Sequence, residues 1–327
     1  MARLLLFPPP MRSSFLAVGV ATLVGACAPP PAPELEATEA NLDVGNGTRL
    51  NGTRLNGTRL NGTRLNGATL NGTRLNGTRL NGSELTGLSD SGATLSGADL
   101  VGLELEGQTD SGPVPLRIDT AEQDSGLWFY RFSALIGGAW VPVCEDAPDG
   151  SQYGALLAAG SWNQDQGVPE GGAWTLGTDQ YTVACKNSAI AKCHLAGYQP
   201  WVLGEEYQPT HLLACVRMIR ADYCGNGAPW TVDGRAIDLW DDLGVQVQTQ
   251  PTWTFEAIWN PDGAACVDAY RVSWDNAVPP CVLARPKGCK QRFSNWNVLM
   301  NRFETLLLAG ARTTSGSTTL ATSSTKR

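Results

Sequence analysis

Histidine is almost missing from this chain: of 327 residues only His194 and His211 carry an imidazole. That argues against a histidine-built metal centre and leaves little for imidazole acid–base chemistry. No Cys-x-x-Cys, Gly-x-Ser-x-Gly, phosphate loop, dinucleotide fingerprint or nucleic-acid motif occurs. A formal charge of −7 gives no basic excess for nucleic acid. No uncharged apolar run reaches the roughly 20 residues that a membrane-crossing helix needs. Tryptophan is absent until Trp128, and all but one of the eleven lie between Trp128 and Trp274. An ordinary globular core is therefore expected only beyond about residue 115. No cofactor and no metal are expected.

The first 26 residues read as a targeting signal. Arg3 and Arg12 supply positive charge, and Phe15 to Ala26 is apolar throughout. The run ends in Val24-Gly25-Ala26-Cys27, which resembles a bacterial lipobox. The resemblance implies that Cys27 is lipidated and becomes the first mature residue, anchoring an exported protein at the outer membrane or cell surface. Residues 27–45 (APPPAP, then Glu34, Glu36, Glu39 and Asp43) read as a semi-rigid acidic tether.

From Asn46 the chain repeats every five residues, as NGTRL and then as NGATL, NGSEL, SGATL and SGADL. Glycine recurs without a break from Gly47 to Gly112, and leucine from Leu50 to Leu105 with a lapse at Asp90. Asn-Gly steps suit left-handed corners. Ala93-Thr94-Leu95, Ala98-Asp99-Leu100 and, more loosely, Thr48-Arg49-Leu50 resemble the core of the pentapeptide-repeat family. The resemblance implies a short right-handed quadrilateral β-solenoid within residues 46–112, one pentad per side. Each leucine would point to the axis, and the globular domain would cap the open end. A Gly-rich spacer is the alternative. Arg49, Arg54, Arg59, Arg64, Arg74 and Arg79 give this segment a basic face. Such a face suits anionic lipid heads or polysaccharide, or simply keeps the segment solvated.

Cys144, Cys185, Cys193, Cys215, Cys224, Cys266, Cys281 and Cys289 remain once Cys27 is set aside. An even count in an exported chain points to four disulfides, with 105 connectivities open. Spacing alone suggests Cys185–Cys193 and Cys281–Cys289.

Residues 113–309 are expected to be an α+β disulfide-rich globular domain. Strands are expected at 127–135, 140–144, 155–159, 173–176, 181–185 and 253–259. A helix capped by Asn187 or Ser188 should run to Leu195. A second, capped by Thr210, carries Leu212, Leu213, Val216 and Ile219 at helical spacing. Asp233-Gly234 signals a hairpin joining 230–232 to 236–239. A helix is expected over 293–308, then a disordered Ser/Thr-rich tail over 310–327.

Arg220-Ala221-Asp222-Tyr223-Cys224-Gly225 resembles the ADYC-domain family of exported myxobacterial proteins. Further likeness lies at Cys185, Ala191-Lys192-Cys193, Gly197-Tyr198-Gln199-Pro200-Trp201, His211-x-x-x-Cys215 and Gly263-Ala264-Ala265-Cys266. The resemblance spans roughly 140–285 and implies no reaction. Physically the motif reads as a corner after a helix. Asp222 bonds backbone N–H groups, Gly225 and Gly227 take positive φ, Tyr223 buries its ring and Cys224 ties the turn elsewhere. The catalytic alternative takes Cys224 or Cys215 as nucleophile, His211 as base and Asp222 as orienter. Asp238, Asp241 and Asp242 lack calcium-loop spacing and read as a solvated loop. Lys287, Lys290 and Arg292 read as a surface patch.

The function expected is that of a cell-envelope lipoprotein, non-enzymatic, with a binding or purely structural role and no catalytic residues. Its partners would be the membrane, through the lipid, and an envelope polymer or protein; nucleic acid is not expected. The alternative is an extracellular hydrolase with its site near His211 and Asp222.

Overall fold

The computed structural model describes residues 48–50, 64–70, 73–74, 76–109, 112–176, 180–202, 208–241, 243–250, 252–271, 278–283, 288–289 and 307–311. Cys27 and the targeting, lipobox and tether expectations lie outside them, as do Asp242, Lys287, Lys290 and Arg292.

Strands dominate. In chain order they are β1 (Arg64–Leu70), β2 (Thr73–Arg74), β3 (Asn76–Asn81), β4 (Glu84–Leu88), β5 (Thr94–Ser96), β6 (Leu103–Thr109), β7 (Gly112–Asp124), β8 (Leu127–Ile136), β9 (Ala139–Pro142), β10 (Ala155–Ala159), β11 (Ser161–Trp162), β12 (Trp174–Thr175) and β13 (Tyr181–Cys185). Helices α1 (Ala189–Leu195) and α2 (Gln208–Arg220) follow, then β14 (Ile237–Asp241), β15 (Thr254–Asn260), β16 (Gly263–Val267), the single turn α3 (Pro280–Leu283) and β17 (Leu307–Ala311). The class is α+β, with four disulfides.

The main sheet has eight strands in the order β13-β10-β8-β7-β6-β1-β2, with β9 also paired to β8. Its middle is covered on both faces, and period-2 alternation shows how. Phe129, Leu156, Ala158 and Ala184 face a core shared with α1 and α2. Tyr130, Phe132, Leu157, Val183 and Cys185 face a core shared with Leu85, Leu100 and Leu105, fifth-position leucines of the repeat. Leu85 and Leu100 thus pack onto the sheet from outside it, whereas Leu105 enters the same core from β6, a strand of the sheet itself. β6 and β7 make one hairpin across residue 112.

The strand pairs described within the repeat lie in residues 64–109. Stacked coils pair in parallel, twenty residues apart. Residues 64–109 instead form antiparallel pairs: β3 with β4, β4 with β5, β1 with β2 and with β6. Gly82, Gly92, Gly97, Gly102 and Gly112 do take positive φ, as corners require. Gly97 has a second reason to lack a side chain, since a Cβ there would lie 2.5 Å from the Trp128 ring.

Three local expectations fail in instructive ways. α2 begins at Gln208, ahead of Thr210, with Pro209 as its second residue, where a fixed φ is compatible with a helix start. The hairpin around Asp233-Gly234 does not form. β14 pairs with β17 instead, and the Asp233 carboxylate accepts from Thr48 N (2.7 Å) and Oγ1 (3.0 Å) at the start of the repeat. Leu307 and Leu308, placed in a terminal helix, and Gly310 and Ala311, placed in a disordered tail, belong to β17; the rest of both segments lies outside the described residues.

Candidate functional site

The site is built where α2 ends. Ala221 N bonds Met218 O and Asp222 N bonds Arg217 O, both at 2.9 Å, which is the Schellman pattern. The position glycine usually takes is held by Ala221 at φ 51, fully buried. The turn that follows is closed by Asp222. Its Oδ2 accepts from Arg217 Nη1 (2.5 Å) and Gly227 N (2.8 Å), and its Oδ1 accepts from Asn226 N (3.1 Å). Arg217 also donates to Gly171 O (2.6 Å) and Pro261 O (3.1 Å), so one guanidinium joins three loops. These loops touch backbone to backbone. A Cβ on Gly225 would collide with Asp262 O, and one on Gly227 with Asp165 O.

Arg220 reaches the other way, donating to Gly227 O (2.7 Å) and to Thr48 O (3.1 Å) in the repeat. Burial pushes it down to about 10, with Asp222 opposing that shift and Arg217 adding to it. It is still a cation at neutral pH.

Tyr223 enters the core against Trp259, ring centroids 5.0 Å apart. Its hydroxyl donates to Glu256 Oε1 (2.7 Å) and accepts from Arg271 N (2.9 Å). Arg271 Nε donates to Glu256 Oε2 (3.0 Å) and its Nη1 to Ile219 O (3.2 Å). Arg271 Nη2 lies 3.0 Å from Glu256 Oε1 but off the hydrogen-bonding direction. Tyr223, Glu256 and Arg271 are all within 1% of full burial. Burial first, then the Glu256 charge, holds the Tyr223 hydroxyl well above the usual phenol range. It serves as a neutral donor.

All eight cysteines of residues 144–289 are oxidised: Cys144–Cys185, Cys193–Cys215, Cys224–Cys281 and Cys266–Cys289. The two pairs suggested by spacing are therefore corrected. Cys185 faces the core shared with the repeat, whereas Cys193, eight positions on, faces the helical core on the other side of the sheet. Cys281 likewise packs on the helical core and Cys289 in a third cluster with Ile258 and Cys266. Proximity in sequence cannot overcome a sheet lying between two thiols.

With Cys215 and Cys224 both in disulfides, neither offers a thiolate to the proposed Cys–His–Asp set. His211 and Asp222 are fully buried. His194 is also buried, its Nδ1 2.9 Å from Ile190 O and its ring stacked on Trp201 at 5.5 Å; burial pushes it down to about 4. Asp238 and Asp241 do not sit in a solvated loop. Asp238 accepts from Thr249 N and Oγ1 and from Gln250 N; Asp241 accepts from Leu243 N, Val245 N, Gln246 N and the Tyr198 hydroxyl. Among the described residues no group of His, Cys, Asp and Glu is arranged to hold a metal ion.

Sequence reasoning found Asp222, Tyr223, Cys224 and the two glycines, and missed Arg217, Glu256 and Arg271 as their partners. Glu256 did carry a signal: it is the one charge inside the apolar strand WTFEAIW. A charge there calls for a buried partner. Nothing local marks Arg271.

The chemistry present is that of a latch. Buried charges, a phenol and a disulfide fix one helix end against three loops and a strand, in a disulfide-bonded α+β domain. The chain belongs to the ADYC domain family, whose model matches residues 97–273, more than half of the chain. Residues 46–87 match the pentapeptide-repeat model in eight copies. No curated protein and no solved structure is significantly similar to the chain.

Proposed function

We propose that this chain is a cell-envelope lipoprotein whose ADYC domain is a non-enzymatic binding or structural module, displayed at the outer membrane or cell surface. The observation that carries this reading is cysteine parity. Eight of nine cysteines are paired, as suits an oxidising compartment. The ninth, Cys27, ends the apolar run of the targeting segment, where an acyl anchor is attached in proteins with a lipobox. Among the described residues no helix is long and apolar enough to cross a membrane, and acyl chains would supply the attachment. The acidic tether and the early pentads would hold the domain away from the bilayer. An envelope polymer or protein is the ligand class that this placement favours.

The test is Cys27→Ser in the full chain, expressed in a bacterium that processes lipoproteins. Incorporation of labelled fatty acid should vanish and the protein should leave the membrane fraction. Unchanged membrane retention overturns the reading.

A further inference from the structure

The last strand lies in an unexpected place. β17 is not at the edge of its sheet but in the middle, in the order β14-β17-β15-β16. All five of its residues pair with β14, from Ile237↔Ala311 to Asp241↔Leu307, and all five also pair with β15, from Thr254↔Ala311 to Trp259↔Leu307. Yet the family model ends at residue 273. β14, β15 and β16 lie inside the family region, and the strand that joins them comes from outside it. Residues 290–306 connect it to Cys289, the last cysteine of the framework.

Without β17 the two flanking strands could not simply close. Both run antiparallel to it, hence parallel to each other, about 9.6 Å apart at two ladder spacings. Each is pinned from behind. β14 is fixed by Asp238, bonded to Thr249 and Gln250, and by Asp241, bonded to Tyr198, Leu243, Val245 and Gln246. β15 is fixed at Glu256, where its register with β17 shifts. There the Glu256 side chain is held by Tyr223 and Arg271, while its carbonyl accepts from Asp268 N (2.8 Å). The ADYC motif thus sets one wall of a two-edged slot. Two facing rows of backbone N–H and C=O groups form a template for an added strand.

We propose that the gap between β14 and β15 is a strand-accepting peptide site, that residues 307–311 are its tethered occupant, and that its ligand in trans is an extended, uncharged segment of another polypeptide. The walls give the chemistry. Ile237, Leu239, Ala257 and Trp259 belong to the core on one face of this sheet, and Ile258, with Trp240 and Phe255, to the cluster on the other. A strand between them has apolar neighbours on both faces, so a charge at either parity is disfavoured. The resident segment, Leu-Leu-Ala-Gly-Ala, carries none. Recognition through the backbone ladder makes strand geometry the first requirement and side-chain size the second. This site stands independently of the lipid anchor.

The test uses the full chain. Leu308→Pro with Gly310→Pro removes two ladder donors and keeps the resident segment out of a central strand. A fluorescein-labelled peptide with the sequence of residues 305–313 is then titrated by anisotropy. The variant should bind it saturably. Wild type should bind roughly tenfold or more weakly, because its own segment occupies the slot and only the open fraction is competent. The same peptide with proline in place of Ala309 should not bind. No binding by a variant whose four disulfides are intact by mass overturns the proposal, as does equal binding of the proline peptide.

If the proline variant does not fold, Leu239→Cys with Ala309→Cys decides, since these residues are register partners. Oxidation should cross-link them, and excess peptide added beforehand should lower the yield. A cross-link between two chains would identify a second copy as a natural donor. No cross-link, or a yield indifferent to saturating peptide, overturns the site.

Discussion

Removing the Asp222 carboxylate tests the latch most directly. Asp222→Ala leaves the Arg217 guanidinium buried without its counter-charge and takes the acceptor from Asn226 N and Gly227 N. Breaking a buried pair from one side typically costs about 3–5 kcal/mol, and a stranded N–H about 1–3 kcal/mol. The three donors share one turn and will not add fully, so the expected loss is about 4 kcal/mol or more. Asp222→Asn should rescue little, because its amide nitrogen sets a donor against donors. The assay is urea unfolding followed by tryptophan fluorescence with the disulfides intact. Arg217→Met and the double variant complete a cycle. Arg217 keeps Gly171 O and Pro261 O in the Asp222 variant, so the cycle isolates the pair from the rest of the guanidinium's work. The expected coupling is about 2–3 kcal/mol. Coupling below about 0.5 kcal/mol would refute the view that this pair holds the corner.

Two further outcomes are expected. The folded state holds His194 near 4 against an ordinary 6.5, so below pH 6.5 the unfolded chain binds the proton that the folded chain refuses. Stability is therefore whole above pH 6.5 and falls as pH drops toward 4, by about 3 kcal/mol in all; His194→Phe should flatten that slope in urea midpoints measured across the range, and an unchanged slope refutes the assignment. Cys224→Ala with Cys281→Ala opens a link between residues 57 apart in sequence, which by loop entropy removes about 4 kcal/mol. A shift below about 1 kcal/mol in the same assay would mean that the buried Asp222 and Tyr223 networks hold the turn without it.

Much of the domain was legible because the signals were local. Short apolar and aromatic runs located β8, β10 and β13, alternation located β15, Ser188 capped α1 by accepting from Ala191 N, and Gly137-Gly138 joined β8 to β9. The corner after α2 was legible for the same reason, since an aspartate followed by two glycines can close a turn within its own segment. Its long-range partners were not. Arg271, Glu256 and Gly171 reach the motif from loops and strands dozens of residues away; the lone charge of Glu256 in an apolar strand calls for a buried partner without naming it, and no pattern marks the other two.

By itself the sequence determined the class, the paired state of the late cysteines, the pentad period and the corner at Asp222, because each depends on residue type or spacing within a few turns of chain. Only tertiary structure decided which cysteines meet, since that depends on which face of a sheet each thiol occupies. It also decided that Leu85, Leu100 and Leu105 fill the core on one face of the main sheet. Above all it placed residues 307–311 between β14 and β15. Backbone groups pair without regard to side-chain identity, so a strand's partner is chosen by where the rest of the chain leaves an open edge.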